Sequence, residues 1–257
     1  MRIIAGEFRS RLLLTPGDAE TVRPMPDRVK ESLFGLLRGH CEHAAVLDTF
    51  CGTGTLGLEA ISRGASRCVF VERDRDAAEL LKRNIDTLGV GDRCEVVIGD
   101  ALGAGALARC PRPVNLAFLD PPYPLIREPV GFKRVMSQLR EIIDRLTPDG
   151  FAMLRTPWPL LLQTADAPAS PEPRRRERRQ KESRRPRRFD RFEPPDPVEP
   201  EETDEDPMPI EAPAAATPAS PPVEADLTLP NALGPESHAY HSMAIHLYMR
   251  KPATPAS

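Results

Sequence analysis

Between residues 44 and 155 the chain alternates short apolar runs with amphipathic stretches, and few folds accept that alternation. Ala44–Asp48, Arg67–Glu72, Cys94–Ile98, Val114–Asp120 and Gly150–Arg155 have the length and composition of buried strands. Helical periodicity marks the intervals at Gly57–Arg63, Arg75–Leu88 and Gly131–Leu146. Strands joined by helices of this length make βαβ units, which build a mostly parallel sheet with helices on both faces. A doubly wound α/β domain is the expectation.

Two regions flank that pattern. Residues 1–26 read as an extension containing a small β-hairpin, Arg2–Ala5 against Ser10–Leu14 around Gly6-Glu7. A helix from about Arg28 to Arg38 follows, with Asp27 as its N-cap and Val29, Leu33, Leu36 and Leu37 as its apolar face. The main domain is therefore placed at 27–163. Residues 164–230 break the pattern. They hold 15 of the 30 prolines, a run Arg174–Arg191 with eleven basic residues, and a run Glu193–Glu211 with nine acidic ones. Such a segment buries too little apolar surface to offset its ordering entropy, so a long disordered insertion is expected. Beyond it, Met243–Met249 has strand composition, with Met243, Ile245, Leu247 and Met249 on one face. Residues 231–251 are thus expected to complete the sheet.

Composition narrows the setting. The five cysteines form no CxxC pair, which fits a reducing, cytoplasmic location. No run reaches 18 apolar residues, so no membrane span is expected. His40, Cys41, His43, His238 and His241 match no zinc spacing, and no metal is expected. A monomer is anticipated.

The first strand runs into Asp48-Thr-Phe-Cys-Gly52-Thr-Gly54-Thr-Leu-Gly57. Glycines let the backbone turn sharply beneath a ligand, and the following helix start offers free amides. By itself this spacing also fits a dinucleotide site, with Glu72 as the ribose acid, and an oxidoreductase. Two acids shift the reading to S-adenosylmethionine. Asp48 suits an ammonium and a sulfonium rather than a pyrophosphate. Asp100, after the third strand, suits an adenine amine, and Glu72 can hold two ribose hydroxyls.

The fourth strand ends in Asp120-Pro121-Pro122-Tyr123. An exocyclic amine on a nucleobase is a weak nucleophile because its lone pair is delocalised into the ring. Hydrogen bonds from its protons to the Asp120 carboxylate and the Pro121 carbonyl draw the nitrogen toward tetrahedral geometry. The double proline stiffens that carbonyl. Tyr123 is placed to stack on the extruded base.

Taken together, Arg2–Arg11, Arg23–Phe34, Leu47–Ala65 and Phe118–Tyr123 resemble RsmD-type bacterial enzymes, which methylate N2 of a guanine in 16S ribosomal RNA. The resemblance spans residues 1–155 and, loosely, the last strand. It implies a Rossmann-like class I methyltransferase fold with a seven-stranded sheet and an antiparallel last strand. It also implies cofactor contacts at Asp48, Phe50, Gly52, Gly54, Glu72 and Asp100, and catalysis at Asp120, Pro121, Pro122 and Tyr123. The insertion at 164–230 departs from the family. Ribosomal RNA or a small-subunit assembly intermediate is the expected partner. Arg2, Arg9, Arg11, Arg23, Arg28 and Lys30 are candidates for phosphate contacts. Other readings stay open: a DNA adenine-N6 or cytosine-N4 methyltransferase, and a non-catalytic RNA-binding assembly protein on the same fold. Nothing in the tetrapeptide separates guanine from the other amines.

Overall fold

The computed structural model describes residues 1–16, 25–163 and 222–252. Among them are strands β1 (Ala45–Thr49), β2 (Arg67–Glu72), β3 (Cys94–Ile98), β4 (Val114–Leu119), β5 (Leu146–Pro157), β6 (Leu161–Leu162), β7 (Val223–Glu224), β8 (Ala232–Tyr240) and β9 (Met243–Arg250). The helices are α1 (Asp27–Leu36), α2 (Thr55–Ser62), α3 (Arg75–Leu88), α4 (Ala104–Arg109), α5 (Tyr123–Arg127) and α6 (Pro129–Ile143). Seven strands form one sheet in the order β3-β2-β1-β4-β5-β9-β8. The first five pair in parallel, and β9 runs antiparallel to both β5 and β8. The doubly wound, mostly parallel fold expected from the sequence is borne out.

Alternation within the strands builds two cores. Val46, Phe70, Leu116, Phe118 and Met153 point to one face and pack with α1, α2 and α3 residues such as Leu33, Phe34, Ile61 and Leu81. Their neighbours Leu47, Val69, Val71, Ala117 and Leu154 point to the other face, against Val135, Leu139 and Ile142 of α6. Both faces are covered, so these strands are apolar throughout, as parallel strands are. Strand order reverses between β1 and β4. In open α/β sheets the crevice beyond the strands' carboxyl ends at such a point receives the ligand.

Several expectations change. The N-terminal hairpin is short: one antiparallel bridge joins Arg2 to Leu12, and backbone bonds run from Ile3 to the Arg11 carbonyl at 3.0 Å, from Ser10 to the Ile3 carbonyl at 2.9 Å and from Leu13 to the Met1 carbonyl at 2.9 Å. Ile4 and Ala5 donate to the Glu59 carboxylate of α2, at 2.7 and 3.0 Å. Gly6 crosses so close to α2 that a Cβ there meets the Ser62 carbonyl at 1.8 Å, and its φ of +87° also demands glycine. The first helix begins at Asp27, with Pro26 at the cap position, and Asp27 binds Arg2 at 3.0 Å instead of capping. Leu36 is 40% exposed, and Phe34 takes its place in the buried stripe.

The carboxyl-terminal region departs further. Met243 to Tyr248 are buried without a break, because β9 lies between β5 and β8 with helices beneath. His246 is thereby enclosed. Its ring nitrogens meet Ser237 Oγ at 2.7 Å and Thr156 Oγ1 at 2.9 Å, and burial lowers its pKa to about 4. The sheet's edge strand, β8, is hidden in the sequence by Gly234-Pro235, where the register shifts. Proline is tolerated on an edge because its missing amide faces no partner. The expected insertion is shorter at its far end: Val223–Glu224 pairs with Leu161–Leu162, and Leu227 and Leu229 pack on the α6 core. Apolar alternation at Ala225, Leu227 and Leu229 carries that order. Residues 164–221 lie outside the described residues.

Candidate active site

The crevice is built from four strand ends. Asp48 is the fourth residue of β1 and is 1% exposed. Its Oδ2 accepts from the Gly57 amide at 2.8 Å, so it caps α2 from a neighbouring strand. Its Oδ1 is buried without a hydrogen-bond partner. A carboxylate with one oxygen in that position fits a ligand that brings a cation or a donor. Burial foremost, with the charges of Asp120 and Glu72, pushes the Asp48 carboxyl up to about 8 against the Gly57 hydrogen bond.

Stability depends on pH as a result. Between about pH 4 and pH 8 the folded chain keeps a proton on Asp48 that the unfolded chain has released. That contribution to stability is full below the lower limit and lost as pH rises to the upper one. Asp48→Asn is therefore expected to unfold at higher urea than the parent at pH 8, by a few kcal/mol in order of magnitude, and to differ little at pH 4. A parallel pH dependence in both proteins excludes a buried, proton-holding Asp48.

The loop after β1 uses its glycines in two ways. Gly52 has φ +55° with open space where a Cβ would stand. Gly54 has φ +83°, and a Cβ there meets Leu81 Cδ1 at 2.3 Å; at Gly57 it meets the Phe70 ring at 2.3 Å. Gly52 thus leaves room for a ligand, whereas Gly54 and Gly57 let α2 sit tightly on β2 and α3. Phe50, with φ +56°, is half-buried against the α6 core.

Glu72 ends β2. One carboxylate oxygen accepts from the Gly52 amide at 2.8 Å, and the other accepts from Arg73 and Asp74 at 2.8 and 2.9 Å. It holds the glycine loop in place, while Asp74 caps α3. Asp100 follows Gly99, whose amide donates to the Glu72 carbonyl at 2.9 Å. Its carboxylate accepts from Leu102 at 2.9 Å and pairs with Arg134 at 3.0 Å, so it is partly engaged by the protein.

Asp120 follows β4, and its amide donates to the Thr49 carbonyl of β1 at 3.4 Å. Its side chain is 19% exposed and pairs at 2.5 Å with Nε of Arg155 on β5. Burial pushes the Asp120 carboxyl upward, and Arg155 opposes it. Pro122 precedes α5, and its carbonyl accepts from the Ile126 amide at 3.2 Å. Tyr123 opens α5, with the Arg155 and Arg127 guanidinium carbons 5.6 and 5.8 Å from its ring centroid.

Of the acids read from the sequence, Glu72 and Asp120 both lie close enough for their charges to act on Asp48. Arg155 escaped the sequence reading, which saw only the end of a strand. Its signal was a lone charge closing the apolar run Phe151–Leu154. Lys30, taken as a phosphate contact, is 1% exposed and sits 3.5 Å from Glu59, because α1 turns it into the core. Arg9, Arg11 and Arg28 are exposed, and Arg2 is exposed but paired with Asp27. Arg23 lies outside the described residues. Among those residues, no cluster of three or more His, Cys, Asp or Glu is arranged to hold a metal ion.

Comparison with known proteins agrees with the motifs. Escherichia coli ribosomal RNA small subunit methyltransferase D is 42% identical over 123 residues, 48% of this chain and 60% of its own. The Haemophilus influenzae protein of the same name is 38% identical over 128 residues, 48% of this chain and 64% of its own. The matched part thus spans under two thirds of these two relatives. In structure, the Escherichia coli protein YhhF superposes with a TM-score of 0.60 at 24% identity, covering 98% of each chain. A hypothetical protein of Thermus thermophilus gives 0.56 at 24% identity, covering 96% of this chain and 98% of its own. These two likenesses establish the fold. The family described as Conserved hypothetical protein 95 matches residues 1–165, and the chain belongs to that family, the RsmD-type family its motifs resemble.

Proposed function

We propose that the chain is an S-adenosylmethionine-dependent methyltransferase acting on the exocyclic N2 amine of a guanine in small-subunit (16S) ribosomal RNA. One observation carries the chemistry: Asp48, Glu72 and the Asp120-Pro-Pro-Tyr123 turn meet at the point where strand order reverses. The substrate class rests on relatives named for ribosomal RNA methylation at 38–42% identity. The choice of guanine N2 rests on the motif resemblance.

The residues present fit the cofactor. The buried Oδ1 of Asp48 suits the methionyl ammonium, Gly52 leaves open space beside the loop, and Glu72 Oε2, which accepts a single amide, keeps an acceptor site for one ribose hydroxyl. Phe50, Gly54 and Asp100 complete that set. When bound, S-adenosylmethionine supplies an electrophilic methyl group. Asp120 accepts one proton of the target amine in a hydrogen bond and the Pro121 carbonyl accepts the other, which localises the nitrogen lone pair. The Pro122 carbonyl is already taken by Ile126, so Pro121 is the available presenter of the pair. A base stacking on Tyr123 takes the place of the exposed Arg127 rather than the buried Arg155.

In this reading the enzyme works as a cytoplasmic monomer on ribosomal RNA or an assembling small subunit, without a metal. Arg2, Arg9, Arg11 and Arg28 meet phosphates, and Arg23 belongs with them by sequence. No helix among the described residues is long and apolar enough to cross a membrane.

The test is transfer of a labelled methyl group by the full chain to small-subunit particles, naked ribosomal RNA and duplex DNA, with the product nucleosides identified. N2-methylguanosine from RNA is the expected product. N6-methyladenosine or N4-methylcytosine from DNA establishes the rival enzyme. Cofactor binding without product points to the non-catalytic assembly protein.

A further inference from the structure

Arg155 occupies a position that the tetrapeptide chemistry does not itself require. Leu154 is the register partner of Leu119 across the β4–β5 ladder, so Arg155 and Asp120 are the next residues along the two strands. Arg155 is only 6% exposed, its Nε is 2.5 Å from Asp120 Oδ1, and its guanidinium carbon lies 5.6 Å from the Tyr123 ring centroid. One buried cation therefore touches both side chains of the motif that carry chemistry.

We propose that Arg155 is a positioning residue for methyl transfer: it fixes the Asp120 carboxylate, keeps it ionised, and seats the Tyr123 ring. The proposal rests on the methyltransferase reading above.

A carboxylate helps the target amine only as an acceptor. A protonated Asp120 offers a donor instead and loses half of its accepting capacity. Asp120 sits in a place that favours the neutral acid, because its side chain is largely buried. A guanidinium is the cation for this place. It stays charged at any working pH, is weakly hydrated, and can lie along an aromatic ring while bonding an acid. Lysine shares the charge but not the planar fork. Among the described residues, the charged or titratable groups near the pair include Asp48 from β1 and Tyr123 and Arg127 from α5. From β9 the register partner of Arg155 is the uncharged Ile245. Arg155 is thus the cation paired with Asp120, while Arg127 lies 5.8 Å from the tyrosine ring centroid.

The expected results separate positioning from bulk stability. In the full chain, Arg155→Gln lowers kcat by on the order of 100-fold while KM for RNA and for cofactor stays within about 3-fold. The acidic limb of its kcat–pH profile moves upward by about one unit or more, as expected on loss of a cation beside a carboxylate. Arg155→Lys recovers part of both effects. In an Asp120→Asn background, which has no carboxylate to hold, Arg155→Gln adds less than about 3-fold. Carboxyl-carbon NMR of Asp120, read without any substrate, should show the same upward shift in Arg155→Gln. That readout stands even if the parent transfers no methyl group, in which case the functional reading fails and the pairing does not. An unmoved titration, or equal and additive rate losses with and without the Asp120 carboxylate, overturns the proposal.

Discussion

Replacing Asp120 by alanine is expected to lower methyl transfer by on the order of 1,000-fold while cofactor affinity changes only a few-fold. The asymmetry follows from the two ends of the crevice. Asp48 and Glu72, on β1 and β2, are proposed to meet the cofactor, and each is held by its own amides from the α2 and α3 starts. Asp120 lies on β4, on the far side of Asp48, and is held by β5 through Arg155. Its loss leaves the first group of hydrogen bonds intact and removes the acceptor that localises the amine lone pair. It also leaves the Arg155 guanidinium buried without its carboxylate, which costs stability on the order of 3–5 kcal/mol. Melting curves must therefore accompany the rates. Asp120→Asn keeps an acceptor in the same place without the charge, and is expected to lose activity by less than alanine does. Cofactor binding that collapses equally in both folded variants shows that Asp120 belongs to the cofactor site and not to the target amine.

The parallel core could be read in advance because the central strands β1, β2 and β4 are buried on both faces and so write mostly apolar runs. Strand β8 could not. An edge strand tolerates Gly234, Pro235 and polar residues that elsewhere signal a loop, and only its pairing with β9 reveals it. The acids of the site were visible as punctuation at strand ends, where a carboxylate has no packing reason to recur. Arg155 occupies an equivalent place, but a cation ending a strand is ordinary unless its partner is known. That partner is 35 positions away and comes near only through the β4–β5 register. Lys30 differs for the opposite reason. A lysine is normally solvated and reads as a surface residue, and its burial against Glu59 is a tertiary fact.

Glu59 is where the second large effect is expected, and it concerns stability rather than turnover. Its carboxylate is inaccessible to solvent. It accepts from the Ile4 and Ala5 amides and from Arg63 Nε at 2.8 Å, with Lys30 Nζ at 3.5 Å. The carboxylate joins the N-terminal segment, α1 and α2 at one point. Glu59→Ala leaves two backbone donors without their acceptor and a buried ammonium without its carboxylate, and among the described residues Lys30 then keeps the Arg2 carbonyl at 2.6 Å. The expected loss is about 3–5 kcal/mol in urea unfolding. Burial already lowers the Lys30 pKa, with Glu59 foremost among the groups opposing it, so the ammonium is the costly partner. Replacing the pair together, Glu59→Gln with Lys30→Met, removes that buried charge while an amide oxygen still receives one backbone donor. This double variant is expected to recover a kcal/mol or more relative to Glu59→Ala, on the order seen when buried ion pairs are replaced by apolar groups. Amide exchange locates the damage: Ile4 and Ala5 should lose protection in Glu59→Ala well before the β1 and β4 amides do. Uniform loss across the sheet, or a cost below about 1 kcal/mol, means that apolar contacts of Ile3 and Leu13 hold the segment and Glu59 does not.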